Sequence, residues 1–169
     1  MNGYDDESTS YYDTAQVCLN GHVTNDSYHK WPVHNVTHCP KCGEQTIVLC
    51  PACKTEIRGS YEVPGVIAVG GESQAPGFCH KCGIPYPWTE RRLQAAKDYA
   101  DELDELNPEE KEQLKGSLDE LIRQTPRTEV ASLRFKKVVK KVGKESYEGM
   151  KHVLTDLVSE TVKKAIFGP

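Results

Sequence analysis

The stretch Cys39-Pro40-Lys41-Cys42-Gly43-Glu44-Gln45-Thr46-Ile47-Val48-Leu49-Cys50-Pro51-Ala52-Cys53 holds two C-x-x-C turns with seven residues between them. A third C-x-x-C follows at Cys79 and Cys82, and Cys18 stands upstream with His22 four residues on. A C-x-x-C turn sets two thiols on one side of a common point, and two such turns brought together close a tetrahedron around a metal ion. The seven cysteines and His22 make eight donors, enough for two closed sites. Such spacing reads as a metal framework and not as a disulfide one.

The simplest pairing is sequential. Cys18, His22, Cys39 and Cys42 hold one ion, and Cys50, Cys53, Cys79 and Cys82 hold the other. The rival is a cross-brace, in which the first and third pairs share a metal and the second and fourth share another. Cys42-Gly43 and Cys82-Gly83 end their units alike, and the seven-residue link is long enough to join two ribbons, so the sequential form is favoured. His22 is the expected eighth ligand. The alternatives are His29, His34 and His38, the last awkwardly adjacent to Cys39. Two structural Zn²⁺ ions are expected. Iron at the four-cysteine set is the rival, and the mixed Cys/His set favours zinc.

Four protein donors per ion leave no open position for water or substrate, so metal-assisted hydrolysis or deamination is not expected. No Ser/His/Asp order and no paired-carboxylate motif stand out. Gly70-Gly71 after an apolar run is a weak echo of a phosphate loop without its lysine. His80, inside the last knuckle, reads as solvated and not as a base. The chain is read as a non-enzyme.

In chain order, residues 1–14 read as a polar, flexible tail, with Tyr11-Tyr12 able to open a first strand. Residues 15–88 read as a small β-rich double zinc ribbon. A hairpin is expected between His22 and Cys39, and strands over Thr46–Leu49 and Glu56–Val63. Val66-Ile67-Ala68-Val69 reads as a strand or a loop tip. Pro85-Tyr86-Pro87-Trp88 reads as a stiff, extended boundary, with Thr89 as the N-cap of a helix and Trp88 and Leu93 as a hydrophobic staple. Residues 89–169 read as an all-α region, a bundle or an arm, so the fold class is α+β overall.

Four helices are expected there. The first carries Leu93, Ala96, Ala100 and Leu103. The second opens at Asn107-Pro108 and carries Leu114, Leu118, Leu121 and Ile122. The third, capped by Thr128 and ended by Gly143, carries Val130, Leu133, Val138 and Val142. The last runs from about Lys144 to Ile166. The narrow stripes fit a small bundle, or an arm completed by a second copy.

The charge is uneven. Of a formal net charge of −4, all falls on residues 1–88, which carry five basic and nine acidic side chains, while residues 89–169 balance. Thiolates holding metal ions would make the first half more negative still. General nucleic-acid binding over the whole surface is therefore not expected. The N-terminus has neither the basic nor the apolar region of a signal peptide, and no stretch is apolar enough to span a bilayer. A cytoplasmic protein is expected.

Three groups of residues together resemble a known family. They are Cys18-Leu19-Asn20-Gly21-His22; Cys50-Pro51-Ala52-Cys53 with Ile57-Arg58-Gly59; and Phe78-Cys79-His80-Lys81-Cys82-Gly83 with Pro85-Tyr86-Pro87-Trp88-Thr89. The family is a bacterial one catalogued as domain of unknown function 2321. The resemblance spans roughly residues 10–140, implies a bacterial zinc-ribbon protein, and implies no particular activity.

One further constellation stands out. Arg134, Lys136, Lys137, Lys140, Lys141 and Lys144 form a run without an intervening acid. It reads as a phosphate-contacting helix, as an amphipathic membrane-surface helix, or plainly as a solvated face paired with the acidic run between Asp98 and Glu112. Tyr28, Trp31, Tyr61 and Phe78 suit either a stacking platform for single strands or packing over a small core. The reading that joins these features is a zinc-held adaptor for a protein partner, its helices serving docking or homo-oligomerisation. A nucleic-acid-binding regulator using residues 134–144 is the alternative.

Overall fold

The computed structural model describes residues 9–66 and 73–168. The chain divides between Thr89 and Glu90 into two compact units. In order the elements are β1 (Tyr11–Thr14), β2 (Gln16–Cys18), β3 (Val23–Asn25), a 3-10 turn (Pro32–His34), β4 (Thr46–Ile47), β5 (Arg58–Glu62), α1 (Pro87–Asp101), α2 (Pro108–Arg123), α3 (Thr128–Val139), α4 (Lys144–Leu154) and α5 (Glu160–Phe167). The α+β class is as expected. The expected reading of Val66–Val69 and the Gly70-Gly71 echo fall largely outside the described residues.

The first unit is built from two small antiparallel sheets. One has the order β3-β2-β4 and the other pairs β1 with β5. The described part of the expected tail is thus a paired strand, with Tyr12 opposite Tyr61. No closed hairpin fills the interval between His22 and Cys39. Val23–Asn25 pairs back onto β2. Asn25 is buried and ties down the following loop, its Nδ2 donating to the Trp31 carbonyl at 2.9 Å and to Asn35 Oδ1 at 2.7 Å. Asp13 does the same work beside it. Its buried carboxylate accepts from the amides of Thr14, His29 and Lys30, so the charge is held by backbone donors and not left unpaired.

The core of this unit is small: Ala15, Val17, Cys50, Ile57, Cys79, Tyr86 and Trp88, with Val23, Ile47, Cys53 and Ala75 packed against it. Here the structure corrects the reading of the Pro-Tyr-Pro-Trp segment. Tyr86 and Trp88 are buried in this core, ring on ring at 4.6 Å and 17°. The helix opens at Pro87, whose fixed φ suits the first helical position. Thr89 therefore lies inside α1 and is no N-cap. Its hydroxyl donates to the Gly77 carbonyl at 2.8 Å, while Trp88 Nε1 donates to the Pro76 carbonyl at 2.8 Å. Trp88 is then the second residue of the helix, not the residue before an N-cap that a staple to Leu93 requires.

The second unit has a core of its own, drawn from all five helices. Ala96, Ala100, Leu114, Leu118, Leu121, Phe135, Met150 and Leu154 are wholly buried. α2 starts as the sequence indicates, with Asn107 and Glu110 in a reciprocal capping box and Pro108 at the first position. α3 differs. Thr128 is its first residue and Arg127 its N-cap. Its buried stripe is Ala131, Phe135, Val138 and Val139, whereas Val130 and Leu133 are exposed. Both sets fit a helical period, and Phe135 outweighs the smaller groups once α2 lies alongside. The expected last helix is two. Ser159 accepts from the Val162 amide and caps α5, and Gly143 is the N-cap of α4. Five helices, not four, make the unit. Among the described residues no helix is long and apolar enough to cross a membrane.

Candidate metal centres

Each knuckle is a short hairpin closed on its first cysteine. In the first, the Cys39 amide bonds the Glu44 carbonyl and the Gly43 amide bonds the Cys39 carbonyl. Cys50 with Thr55 and Lys54, and Cys79 with Ile84 and Gly83, repeat this pattern. The residue after the second cysteine takes a positive φ each time: 73° at Gly43, 61° at Lys54 and 71° at Gly83. The glycine after Cys42 and Cys82 therefore marks no special second knuckle, since Lys54 adopts the same backbone. Nothing stands within 4 Å of a Cβ added at Gly83. Gly83→Ala is thus expected to cost only the left-handed backbone strain, about 1 kcal/mol, with metal stoichiometry unchanged when melting and metal content are measured together.

The knuckles bring two donor sets together. Cys18, His22, Cys39 and Cys42 form one, and Cys50, Cys53, Cys79 and Cys82 the other, with donor atoms in each set within 4.8 Å of one another. This is the sequential grouping. β2 carries Cys18 and pairs with β4 in the central link, Cys18 opposite Thr46, which brings the distant half-site home. His29 instead bonds Glu56 at 3.0 Å, and His38 Nδ1 lies 3.1 Å from the Thr37 hydroxyl. Neither of them belongs to the set.

The spacings fit a tetrahedral ion. Four donors at zinc's usual bond lengths stand about 3.8 Å apart for a sulfur pair and about 3.5 Å for a sulfur–nitrogen pair. Cys18 to Cys42 is 3.8 Å, Cys50 to Cys82 is 3.8 Å, and Cys53 to Cys79 is 3.6 Å. His22 Nδ1 lies 3.5 Å from Cys18 Sγ and 3.6 Å from Cys39 Sγ, so Nδ1 is the donor atom. A disulfide would need about 2.05 Å, and all seven cysteines are free.

Backbone and side-chain donors surround the sulfurs. The Glu44 amide, then Asn20 and His22, bring the Cys42 thiol down to about 6. The amides of Cys82 and Lys81 bring Cys79 down to about 6. The Thr55 hydroxyl and amide lower Cys53, and burial raises Cys18. At Cys82 the Ile84 amide pulls downward, yet desolvation and the neighbouring sulfurs of Cys53, Cys79 and Cys50 win and push it up to about 12. Four crowded sulfurs without a cation divide in this way. A divalent ion removes the conflict, because a coordinated thiol is deprotonated outright.

Tyr86 supplies an independent test of fit. Its hydroxyl is buried and reaches no nitrogen or oxygen partner, so the Cys79 sulfur is the acceptor beside it, and a buried hydroxyl left unsatisfied ordinarily costs about 1–3 kcal/mol. Burial, then the nearby Cys79 sulfur, hold the phenol protonated. A metal-bound thiolate is the acceptor that this donor needs. Nothing in the sequence assigns Tyr86 to the site. Its only mark was its place between two prolines after the last knuckle.

The family's sequence profile matches residues 11–166. The chain belongs to the DUF2321 family. Its members are described as uncharacterised proteins conserved in bacteria. The match reaches beyond residue 140, so α4 and α5 belong to the family region and are not an appendage. No curated protein and no solved structure matches the chain.

In this DUF2321 chain the six basic residues of the run from Arg134 to Lys144 do not act alike. Lys141 pairs with Glu110. Among the described residues Arg134, Lys136, Lys137, Lys140 and Lys144 have no such partner, and of the acidic run only Glu110 meets the basic run, while Asp101 at 2.8 Å and Glu112 at 2.5 Å pair with Lys115. Lys136, Lys140 and Lys144 line a cleft, while Arg134 and Lys137 do not.

Proposed function

We propose that the two donor sets hold structural Zn²⁺ ions and that the protein is a non-enzymatic adaptor for a protein partner. Four protein donors in each set meet zinc's preferred coordination and leave no position for substrate. The observation that carries the adaptor reading is the exposed aromatic face on the β1–β5 ribbon. Tyr12 and Tyr61 stand opposite each other with ring centroids 4.8 Å apart, each about half exposed, and Arg58 lies 4.6 Å over the Tyr12 ring. Tyrosine and arginine on a rigid scaffold are the residue types that dominate protein interfaces. The helical unit adds exposed Val130 and Leu133, which suit docking or self-association.

Metal analysis of protein purified without added metal is expected to give two zinc ions per chain, and a ratio near one would remove the eight-ligand arrangement. Affinity capture is expected to retain a protein partner that Tyr12→Ala with Tyr61→Ala releases. A strict monomer capturing nothing would overturn the adaptor reading.

A second reading, a nucleic-acid-binding regulator, rests on Arg134 and Lys137, exposed on α3 and without acidic partners among the described residues. It requires a salt-dependent gel shift that Arg134→Glu with Lys137→Glu abolishes.

A further inference from the structure

The end of α3, the start of α4 and the end of α5 enclose a cleft of about 510 Å³. Its rim holds Lys136 and Lys140, one helical turn apart on α3, and Lys144, the first residue of α4. Its apolar wall is Val139, Val142 and Ile166, and two rings complete it. Tyr147 and Phe167 meet edge to face, with centroids 5.9 Å apart.

Three features decide what such a cleft takes. First, no carboxylate lines it and its three ammonium groups have no acidic partner among the described residues. Glu145 follows Lys144 in the first turn of α4 but does not line the cleft, and Glu105 is occupied by the Gly143 amide at 3.1 Å and the Ser146 hydroxyl at 2.8 Å. Three like charges around one concavity repel until an anion joins them. Second, lysine binds phosphate as a mobile point charge, whereas planar carboxylates are better matched by arginine. Third, the volume lies within the range of small-molecule sites, which are mostly apolar with a few polar groups fixing the ligand. A nucleic-acid strand would instead be tracked along a longer basic surface, and Arg134 and Lys137 do not line the cleft.

We propose that this cleft binds a phosphorylated small molecule: a phosphate group held by Lys136, Lys140 and Lys144, and an apolar body lying against Tyr147 and Phe167. The body is aromatic, as in a nucleotide, or aliphatic, as in a lipid phosphate. The shared chemistry is a phosphate on an apolar body.

The test uses the 169-residue chain loaded with zinc. Amide chemical shifts and calorimetry follow titration with ATP, with monododecyl phosphate, and with inorganic tripolyphosphate, which carries the phosphate chain without a body. At least one of the first two is expected to bind ten-fold or more tightly than tripolyphosphate, shifting the amides of Lys136, Lys144, Tyr147 and Gly168. Which of the two binds tells a nucleotide from a lipid phosphate. Lys136→Glu with Lys140→Glu is expected to weaken binding at least ten-fold, and the milder Lys144→Gln to weaken it with the fold intact. Tyr147→Ala is expected to bring the organic phosphate to the level of tripolyphosphate. The proposal is overturned if neither organic phosphate binds, if tripolyphosphate binds as tightly, or if only a single-stranded oligonucleotide binds and shifts Arg134 and Lys137.

Discussion

Stripping both metal ions is expected to unfold the first unit and leave the second folded. The first unit's buried core is seven residues, two of them ligand cysteines. So small a core supplies little net stability, whereas a structural zinc ion contributes an apparent 10–16 kcal/mol, on the order of a whole domain's stability. The second unit has its own core of leucines, valines and Phe135 and no metal ligands. The protein carries its own reporters for this experiment. Both tryptophans lie in the first unit, and Trp88 is buried against Tyr86. On chelation, Trp88 emission is expected to move to the red while the helical circular dichroism largely persists. Protein verified to be metal-free that keeps its blue emission would show that the ions do not hold the fold.

Gly59→Ala is expected to be the most damaging single substitution outside the ligands. A Cβ at residue 59 would stand 2.1 Å from the Asp26 carbonyl oxygen and 2.8 Å from the Ala15 amide nitrogen and the Thr14 carbonyl carbon. All three are backbone atoms, so no side chain can swing aside. The crowding falls where β5 crosses β1, and the Ser60 amide there bonds the Asp26 carbonyl at 2.8 Å. Overpacking in a rigid site costs about 1–3 kcal/mol or more, and the top of that range is expected because the backbone itself must move. Denaturation followed by tryptophan emission measures it. Gly116→Ala is the control. It sits in α2 with open space around it and is expected to stabilise by up to about 1 kcal/mol. Equal effects of the two would refute the steric account.

The two donor sets were legible because coordination chemistry fixes both residue type and spacing. Two thiols separated by two residues have few other uses, and counting donors led directly to His22. The helices were legible where a local signal marks an end, as at Asn107-Pro108. They were misread where two patterns competed. Val130 and Leu133 have a helical period as good as that of Ala131 and Phe135, and only the partner surface of α2 chooses between them. The break between α4 and α5 carried one signal, Ser159 ahead of Glu160, inside a run that otherwise continues as helix. The junction was misread because proline and tryptophan have the same local preferences in a linker as at the rim of a core. What decides is whether carbonyls such as those of Pro76 and Gly77 wait twelve residues upstream, and that is a matter of tertiary structure. The basic run misled for a related reason. One dimension cannot show that three lysines line a concavity while Arg134 and Lys137 do not.

The seven-residue link between the inner knuckles is held along both edges. Thr46 and Ile47 pair with Cys18 and Val17, while the Val48 carbonyl takes the Ile57 amide at 2.9 Å and the Cys50 amide bonds the Thr55 carbonyl at 2.8 Å. Ala15, the residue just before β2, closes the circuit, since its amide bonds the Ile57 carbonyl at 2.7 Å. A ligand strand of one centre and the hairpin of the other are therefore parts of a single hydrogen-bonded frame. Filling either centre orders the link, and an ordered link sets half the donors of its neighbour in place before a second ion arrives. With zinc in both donor sets, as proposed, the two ions are therefore expected to load as a cooperative pair, and a metal titration followed by native mass spectrometry should show empty and two-zinc chains with little one-zinc form.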